Sequence, residues 1–487
     1  MFNLTVSNSP IEKYLLIDKV IEIMIEIDNQ KENLSPFFEP NSIAIIGSLT
    51  KFWFGGQVLM NNLLKYGYSG KIYLINPSYD EAQGIKVYPT IKDVPETVDL
   101  AIIITAARQV PLIVKDCAEK GVKGIIIGAD GFAERDKEGA ELQDEVVEIA
   151  RHAGIRIIGP NTIGTVNTKT GLETSPYPIG SKVRRGNISL SAQTGLIGPQ
   201  GFPYKDWGYG ISKICDFGNK CDVDESDLLE YLVDDPDTKV IAMEIEGIKN
   251  GHRFLNISKR VAHEKPILVF KPGRSKETAK ALMSHTGSMA GDQKIYESAF
   301  KQTGIIQVDS FIELLDFANA FSCQPLPKGN RLGVITLTGA GGIMATDAAI
   351  ESGLILAEFS TKTNENLFEI HPTIVGNPSD LGPAGAVMGN LPYKEVIETV
   401  VNDENVDCLL CTFWSLLPAE FYISILNEVK KPKDKPIAFW VYGEKLETVN
   451  QICFELNTNG YPAYQDVETA AKTIGDMHQY VKIKASK

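Results

Sequence analysis

The feature that most constrains this chain is a recurring alternation. Short β-branched runs ending in small or polar residues are each followed by a longer stretch with helical spacing of apolar positions. Buried strands separated by helix-length connections specify parallel sheets covered on both faces, because a parallel neighbour is reached only through a crossover. Residues 42–46, 71–75, 100–105, 124–127 and 155–158 predict one doubly wound sheet within residues 34–170. Residues 188–191, 211–215, 240–245, 267–270 and 305–308 predict a second within 171–324. The polar Pro-Gly segment 325–330 has the composition of a boundary. Beyond it, residues 331–337, 355–359, 408–412 and 436–441 predict a third sheet within 331–487. The expected fold class is α/β, three doubly wound domains preceded by a helical extension over residues 1–33. At 487 residues and about 150 per domain, length suggests the same count.

Composition narrows the partners. Hydrophobic residues at 43% supply several cores. The net charge of -14 argues against nucleic acid or an anionic membrane surface, so any anionic ligand must be held by local groups. The seven cysteines are odd in number and scattered, as reduced thiols in a cytoplasmic protein would be. Cys408 and Cys411 lie in an apolar run with no second pair, which favours core packing; no metal site is expected. The N-terminus has neither a basic n-region with a cleavage site nor a long uncharged span, and residues 11–27 suit an amphipathic helix that packs on protein.

Several turns have the chemistry of anion sites. The first strand ends in Gly47-Ser48, and Gly55-Gly56 opens a helix on which a pyrophosphate can rest. A nicotinamide dinucleotide fold places an acidic residue near the end of the second strand, where this chain reads Ile75-Asn76-Pro77-Ser78; a different nucleotide ligand is favoured. Two further segments, Ser191-Ala192-Gln193-Thr194-Gly195-Leu196 and Thr338-Gly339-Ala340-Gly341-Gly342-Ile343, each read as a strand running into a small-residue turn that starts a helix. Each then offers unpaired N–H groups and the positive end of a helix dipole, with Gln193, Thr194, Gly195, Ala340, Gly341 and Gly342 as the phosphate-binding residues. A tight strand-helix junction fits either segment equally well.

Between them in sequence stands His285, in Met283-Ser284-His285-Thr286-Gly287-Ser288-Met289-Ala290-Gly291. A neutral imidazole accepts a phosphoryl group, and small, hydroxyl-bearing neighbours leave it room to move. A capping or core histidine in a glycine-rich turn fits the same window. A carboxylate on the second ring nitrogen would orient the imidazole, and Glu246, at the end of the buried run 240–245, is the candidate; a surface glutamate at a strand end is the alternative. The acidic run Asp222-Val223-Asp224-Glu225-Ser226-Asp227 reads as a helix cap and first turn.

Together the residues carry a resemblance. Ser284 to Gly291, Phe217-Gly218-Asn219-Lys220 with Asp222-Val223-Asp224-Glu225, Gly159-Pro160-Asn161 and Asn377-Pro378-Ser379-Asp380-Leu381 resemble the α subunit of ADP-forming acyl-CoA synthetases, in the superfamily that includes succinyl-CoA synthetase. The resemblance spans roughly residues 34–481. It implies a Rossmann-like CoA-binding domain followed by two flavodoxin-like ligase domains, with CoA held near Gly47, Ser48, Asn76, Pro77, Ser78, Thr105 and Asn161. It implies reversible conversion of acyl-CoA, ADP and phosphate to acid, ATP and CoA through an acyl phosphate and a phosphohistidine at His285. No segment resembles an ATP-grasp domain, so Mg-ADP or Mg-ATP is expected on a partner β subunit, in an α2β2 assembly. Serine at 78, threonine at 162 and the aromatic run after Gly47-Ser48-Leu49-Thr50 depart from the family pattern. A CoA-binding or acyl-CoA-sensing protein without catalysis is the competing reading.

Overall fold

A computed structural model of the chain describes residues 34–49, 54–273, 278, 293–430 and 434–486. The N-terminal extension, the aromatic run 50–53 and the loop that carries His285 lie outside the described residues. The described residues fall into two compact units. One runs to Pro178 and takes in Asp216–Asp234; the other holds Ile179–Cys215 and the described residues from Asp235 onward.

In the first unit, β1 (Ser42–Gly47), β2 (Lys71–Ile75), β3 (Glu81–Ala82), β4 (Ile85–Tyr88), β5 (Leu100–Ile104), β6 (Gly124–Ile127) and β7 (Arg156–Ile158) form one sheet. Their order is β3-β4-β2-β1-β5-β6-β7, parallel except where β3 pairs with β4. Ile43, Ala44, Ile45 and every residue of β5 are buried on both faces, as a strand between two helical layers must be. Val110, Val114, Cys117 and Val146, from the helices Val110–Lys120 and Lys137–His152, close one of those faces. A short antiparallel pair, β8 (Thr165–Asn167) and β9 (Leu172–Glu173), follows. These two-residue and three-residue strands are too short to leave a period in the sequence.

The second unit holds β10 (Arg185–Ala192), β11 (Ile211–Asp216), β12 (Val240–Glu244), β13 (Ile267–Phe270) and β14 (Ile306–Val308), in the order β14-β13-β12-β10-β11. It also holds β15 (Arg331–Thr336), β16 (Ile355–Leu356), β17 (Ser379–Asp380), β18 (Cys408–Trp414), β19 (Ile437–Tyr442) and β20 (Ala463–Tyr464), in the order β16-β15-β18-β19-β20 with β17 also on β15. The expected strand 355–359 is cut to two residues because Ser360 caps the helix Thr361–Ile370. Alternate residues feed opposite cores: Cys408 and Leu410 pack on one side of the sheet, Leu409, Cys411 and Phe413 on the other. The two cysteines therefore point apart and pack as core residues.

The segment 325–330 lies inside this second unit. Beside it, the Gln324 side chain accepts from the Ile437 N–H (3.0 Å) and donates to the Gly460 carbonyl (2.6 Å), while Asn319 donates to Asn457 (2.9 Å) in a buried amide pair. Each of these amides would be left unsatisfied if the two sheets separated, which ties them into one body.

Gly47 tests the β1–β5 pairing. Its φ is +140°, and a Cβ there would lie 1.9 Å from the Ile104 carbonyl oxygen, so no side chain fits without parting the strands. Gly47→Ala is expected to cost about 2 kcal/mol or more of stability. Gly180→Ala, whose Cβ meets nothing within 4 Å, is expected to leave the urea unfolding midpoint unchanged.

Candidate functional site

The first unit reverses direction at β1: β2 lies on one side and β5 on the other. In open parallel sheets such a switch point leaves a crevice beyond the carboxyl ends of the strands. Register brings the predicted residues to it, since Ile46 pairs with Ile75 and Gly47 with Ile104. The Asn76 amide donates to the Gly47 carbonyl (2.8 Å), and its oxygen accepts from the Ser78 N–H (2.8 Å), so Asn76-Pro77-Ser78 folds as an Asx turn fixed to the end of β1. The Ser48 carbonyl accepts from the Gly56 N–H (3.1 Å), which sets the start of the helix Gly56–Tyr66 beside the crevice. Thr105, just past β5, bonds through its hydroxyl to Gln109.

Asn161 stands apart from these. It follows β7, three strands from β1, roughly 14 Å at normal strand spacing. Its N–H donates to the Ala129 carbonyl (2.9 Å) and its φ is +59°. Gly218 packs so closely there that a Cβ would lie 2.2 Å from the Pro160 oxygen, and the N–H groups of Asn219 and Cys221 bond to the carbonyls of Pro160 and Gly159. The two glycine motifs Gly159-Pro160-Asn161 and Phe217-Gly218-Asn219-Lys220 thus interlock as a backbone junction within one unit. The following acidic run has the capping role expected of it: the Asp224 carboxylate accepts from the N–H groups of Ser226 (2.8 Å) and Asp227 (3.1 Å) at the start of the helix Glu225–Asp234. Asp222 and Asp227 hold Arg156 at 2.9 and 3.0 Å. Burial raises the pKa of Glu225, while its buried partner Lys220 pulls the other way.

In the second unit, β10 and β12 are parallel neighbours, with Ser191 beside Met243, so their carboxyl ends deliver Gln193, Glu244 and Glu246 to one place. Two expectations about this turn are corrected. No α-helix follows: Gly195–Ile197 is a single 3-10 turn, and Gly198, Pro199, Gly201 and Pro203 prevent its continuation, so no helix dipole acts here. Nor is the Gln193 N–H unpaired; it donates to Glu244 Oε2 (3.0 Å), while Gln193 Oε1 accepts from the Gly247 N–H (3.3 Å). The Thr194 hydroxyl accepts from the Leu196 N–H (3.4 Å), and among the described residues no acceptor is placed against the N–H of Thr194 or Gly195.

Glu246 is 5% exposed, and its Oε2 has no hydrogen-bond partner among the described residues. A buried carboxylate oxygen without a donor is costly, which distinguishes Glu246 from a surface glutamate at a strand end. Glu244, 4% exposed, was not singled out from sequence. The available signal was a second carboxylate, two residues before Glu246, ending an otherwise apolar strand.

The third segment forms the expected strand-to-helix turn. Thr338 caps the helix Gly339–Glu351 through its hydroxyl, which accepts from the Gly341 N–H (3.0 Å), and the Gly342 N–H bonds to the Thr338 carbonyl (3.0 Å). These two N–H groups are therefore not free for an anion, a correction to their expected role; among the described residues, the open groups of the first turn are those of Gly339 and Ala340. Gly341 and Gly342 serve close packing instead, since a Cβ would lie 2.9 Å from the Thr336 hydroxyl or 3.1 Å from Pro378. A cavity of about 290 Å³ faces this turn, lined by Thr336, Gly339, Asp347 and Asp380 among others. Asn377 pins the adjoining segment to β15, accepting from the Val334 N–H (2.9 Å) and donating to the carbonyls of Leu332 (2.8 Å) and Ala357 (3.0 Å).

Comparison with known proteins converges with this geometry. Residues 41–168 match the CoA binding domain family, and residues 185–321 match the succinyl-CoA ligase-like flavodoxin domain. The chain is 38% identical over 460 residues to the α subunit of ADP-forming acetate–CoA ligase II of Pyrococcus furiosus, covering 92% of this chain and 98% of that one. It is 40% identical over 465 residues to ADP-forming acetate–CoA ligase II of Archaeoglobus fulgidus, covering 92% of this chain and 67% of that longer protein. In three dimensions it resembles acetyl-coenzyme A synthetase 1 of Ca. Korarchaeum cryptofilum, solved in complex with phosphate and ADP, with a TM-score of 0.83 at 31% identity, over 93% of this chain and 98% of that one. The chain belongs to the family of ADP-forming acyl-CoA synthetase α subunits, acid–thiol ligases built on a CoA-binding domain and succinyl-CoA ligase-like flavodoxin domains.

Proposed function

We propose that the chain carries out the acyl-transfer and phosphoryl-transfer half of the reversible reaction, with His285 as the phosphoryl carrier. CoA lies at the β1–β5 switch point, against Gly47, Ser48, Asn76, Pro77, Ser78 and Thr105; Asn161, three strands away, contributes through the 159–163 junction. Phosphate attacks the thioester carbonyl, the C–S bond breaks, and an acyl phosphate and the CoA thiolate result. An imidazole nitrogen of His285 then takes the phosphoryl group and the carboxylate leaves. Glu246 accepts the N–H of the other ring nitrogen and stabilises the developing positive charge. The N–H groups of Thr194, Gly195, Gly339 and Ala340 meet phosphate oxygens, each locally, in a chain whose net charge repels anions.

The single observation that carries this reading is the buried oxygen of Glu246, without a partner among the described residues, beside the 193–195 turn. The phosphoryl group passes to Mg-ADP on an ATP-grasp β subunit, in an α2β2 assembly; support comes from a relative named as an α subunit and from another about half as long again as the matched region. Acetate, the acid in both names, is the first substrate to test. The cytoplasm suits a chain whose seven cysteines are all free thiols; among the described residues no helix is long and apolar enough to cross a membrane.

Glu246→Gln keeps an acceptor oxygen but loses the charge, and is expected to slow phosphorylation of His285 by about 100-fold or more with little change in thermal stability. Quench-flow measurement with labelled phosphate decides it; an unchanged rate would move the role to Glu244. His285→Ala is expected to abolish acyl-CoA-dependent ATP formation in the reconstituted complex while CoA affinity, read by calorimetry, stays near wild type. The isolated chain titrated with Mg-ADP is expected to show no saturable heat, and binding without a partner would contradict the division of labour.

A further inference from the structure

Beyond these sites, the second unit contains a cavity whose lining the acyl-transfer chemistry does not use. It measures about 520 Å³, within the range of small-molecule pockets, and opens among the helices Phe311–Cys323 and Leu446–Thr458 and the segments 206–209 and 463–466. Its walls are aromatic, with Trp207, Tyr209, Phe454 and Tyr464, and its charged groups are all carboxylates: Asp206, Asp316 and Asp466. Among the described residues no lysine, arginine or histidine lines it.

Asp316 gives this cavity an acceptor. Its Oδ1 accepts from the Tyr209 hydroxyl, and among the described residues no donor is placed on Oδ2. Burial pushes the Asp316 carboxyl up to about 7, and the nearby carboxylates Asp466 and Glu313 add to the rise. The three lining carboxylates bias the cavity toward a cation, and aromatic walls favour the same kind of ligand, since ring faces attract cations. The open carboxylate oxygen adds a requirement for an N–H donor, because charge-assisted hydrogen bonds are the strong ones.

We propose that this cavity binds a small organic cation bearing N–H groups, a primary ammonium or guanidinium, with Asp316 Oδ2 as its acceptor. Glu246 and the 193–195 and 338–342 turns do not line it, yet the helix that carries Asp316 also packs on β12, the strand that leads into Glu246. An occupant would therefore press on an element that positions the reacting groups.

The test is calorimetric titration of the purified chain with butylammonium chloride, against sodium chloride at equal ionic strength and against tetramethylammonium, which has the charge but no N–H. Saturable heat is expected with butylammonium, and binding at least about tenfold weaker with tetramethylammonium and with Asp316→Asn. Asn450→Lys, at an exposed position of the cavity lining, places an ammonium group at the site in cis without touching the core, and is expected to abolish binding while leaving the unfolding midpoint unchanged. Should Asp316→Asn fail to fold, Asn450→Lys carries the test alone. The proposal is overturned by absence of saturable heat in the wild-type chain, by equal affinity for tetramethylammonium, or by wild-type affinity in Asn450→Lys.

Discussion

Parallel strand pairing is the constraint on which the rest of this structure depends. Each crossover returns the chain to the same end of its sheet, so each parallel strand delivers its carboxyl end, and the turn that follows, to one edge. Gly47, Asn76 and Thr105 come from segments far apart in sequence and meet because β1 pairs with both β2 and β5. Gln193, Glu244 and Glu246 meet for the same reason at the ends of β10 and β12. The helices fix these ends by burying both faces of the central strands such as β1, β5 and β12, and the turns then carry backbone N–H groups and carboxylates that the sheets do not consume.

Charge is handled locally. A chain with a net charge of -14 gains nothing from its overall field in binding CoA or phosphate, and the groups proposed to face those anions are neutral N–H donors, not lysine or arginine side chains. Close to them stand carboxylates: the buried Glu244 on the Gln193 N–H, the buried Glu246 with one oxygen open among the described residues, and the half-buried Asp380 bonded to the Gly382 N–H (2.9 Å) beside the first turn of the helix Gly339–Glu351. In the proposed reaction such an arrangement would hold a transferring phosphoryl group without trapping it: donors would satisfy its oxygens, while nearby negative charge would favour its departure and stabilise the imidazolium that carries it.

Much of the fold was legible because apolar runs such as 42–46, 100–104 and 408–412 are buried on both faces and leave no polar alternation to confuse with another architecture. Two-residue strands such as β3, β9 and β20 were not, since they are set by register with neighbours and not by local pattern. In the site, Glu246 and the switch-point glycine stood out from sequence because a carboxylate at the end of an apolar strand and a glycine before a helix are both costly unless used. The state of each N–H group was not legible. Gln193, Gly341 and Gly342 sit in small-residue turns that look open, yet Glu244, the Thr338 hydroxyl and the Thr338 carbonyl occupy their donors. Side-chain capping across strands, or from a threonine three residues back, is a property of geometry that composition does not report.

The central claim is that His285 is the phosphoryl carrier served by Glu246. Phosphopeptide mass analysis of the purified chain after incubation with acetyl-CoA and inorganic phosphate, worked up in alkali and again in acid, tests it most directly. The account predicts a single phosphate on the peptide containing His285, stable in alkali, lost in acid and absent when acetyl-CoA is omitted. A chain that turns over with its partner subunit yet never carries phosphate on that peptide, or carries it on another residue, would contradict it.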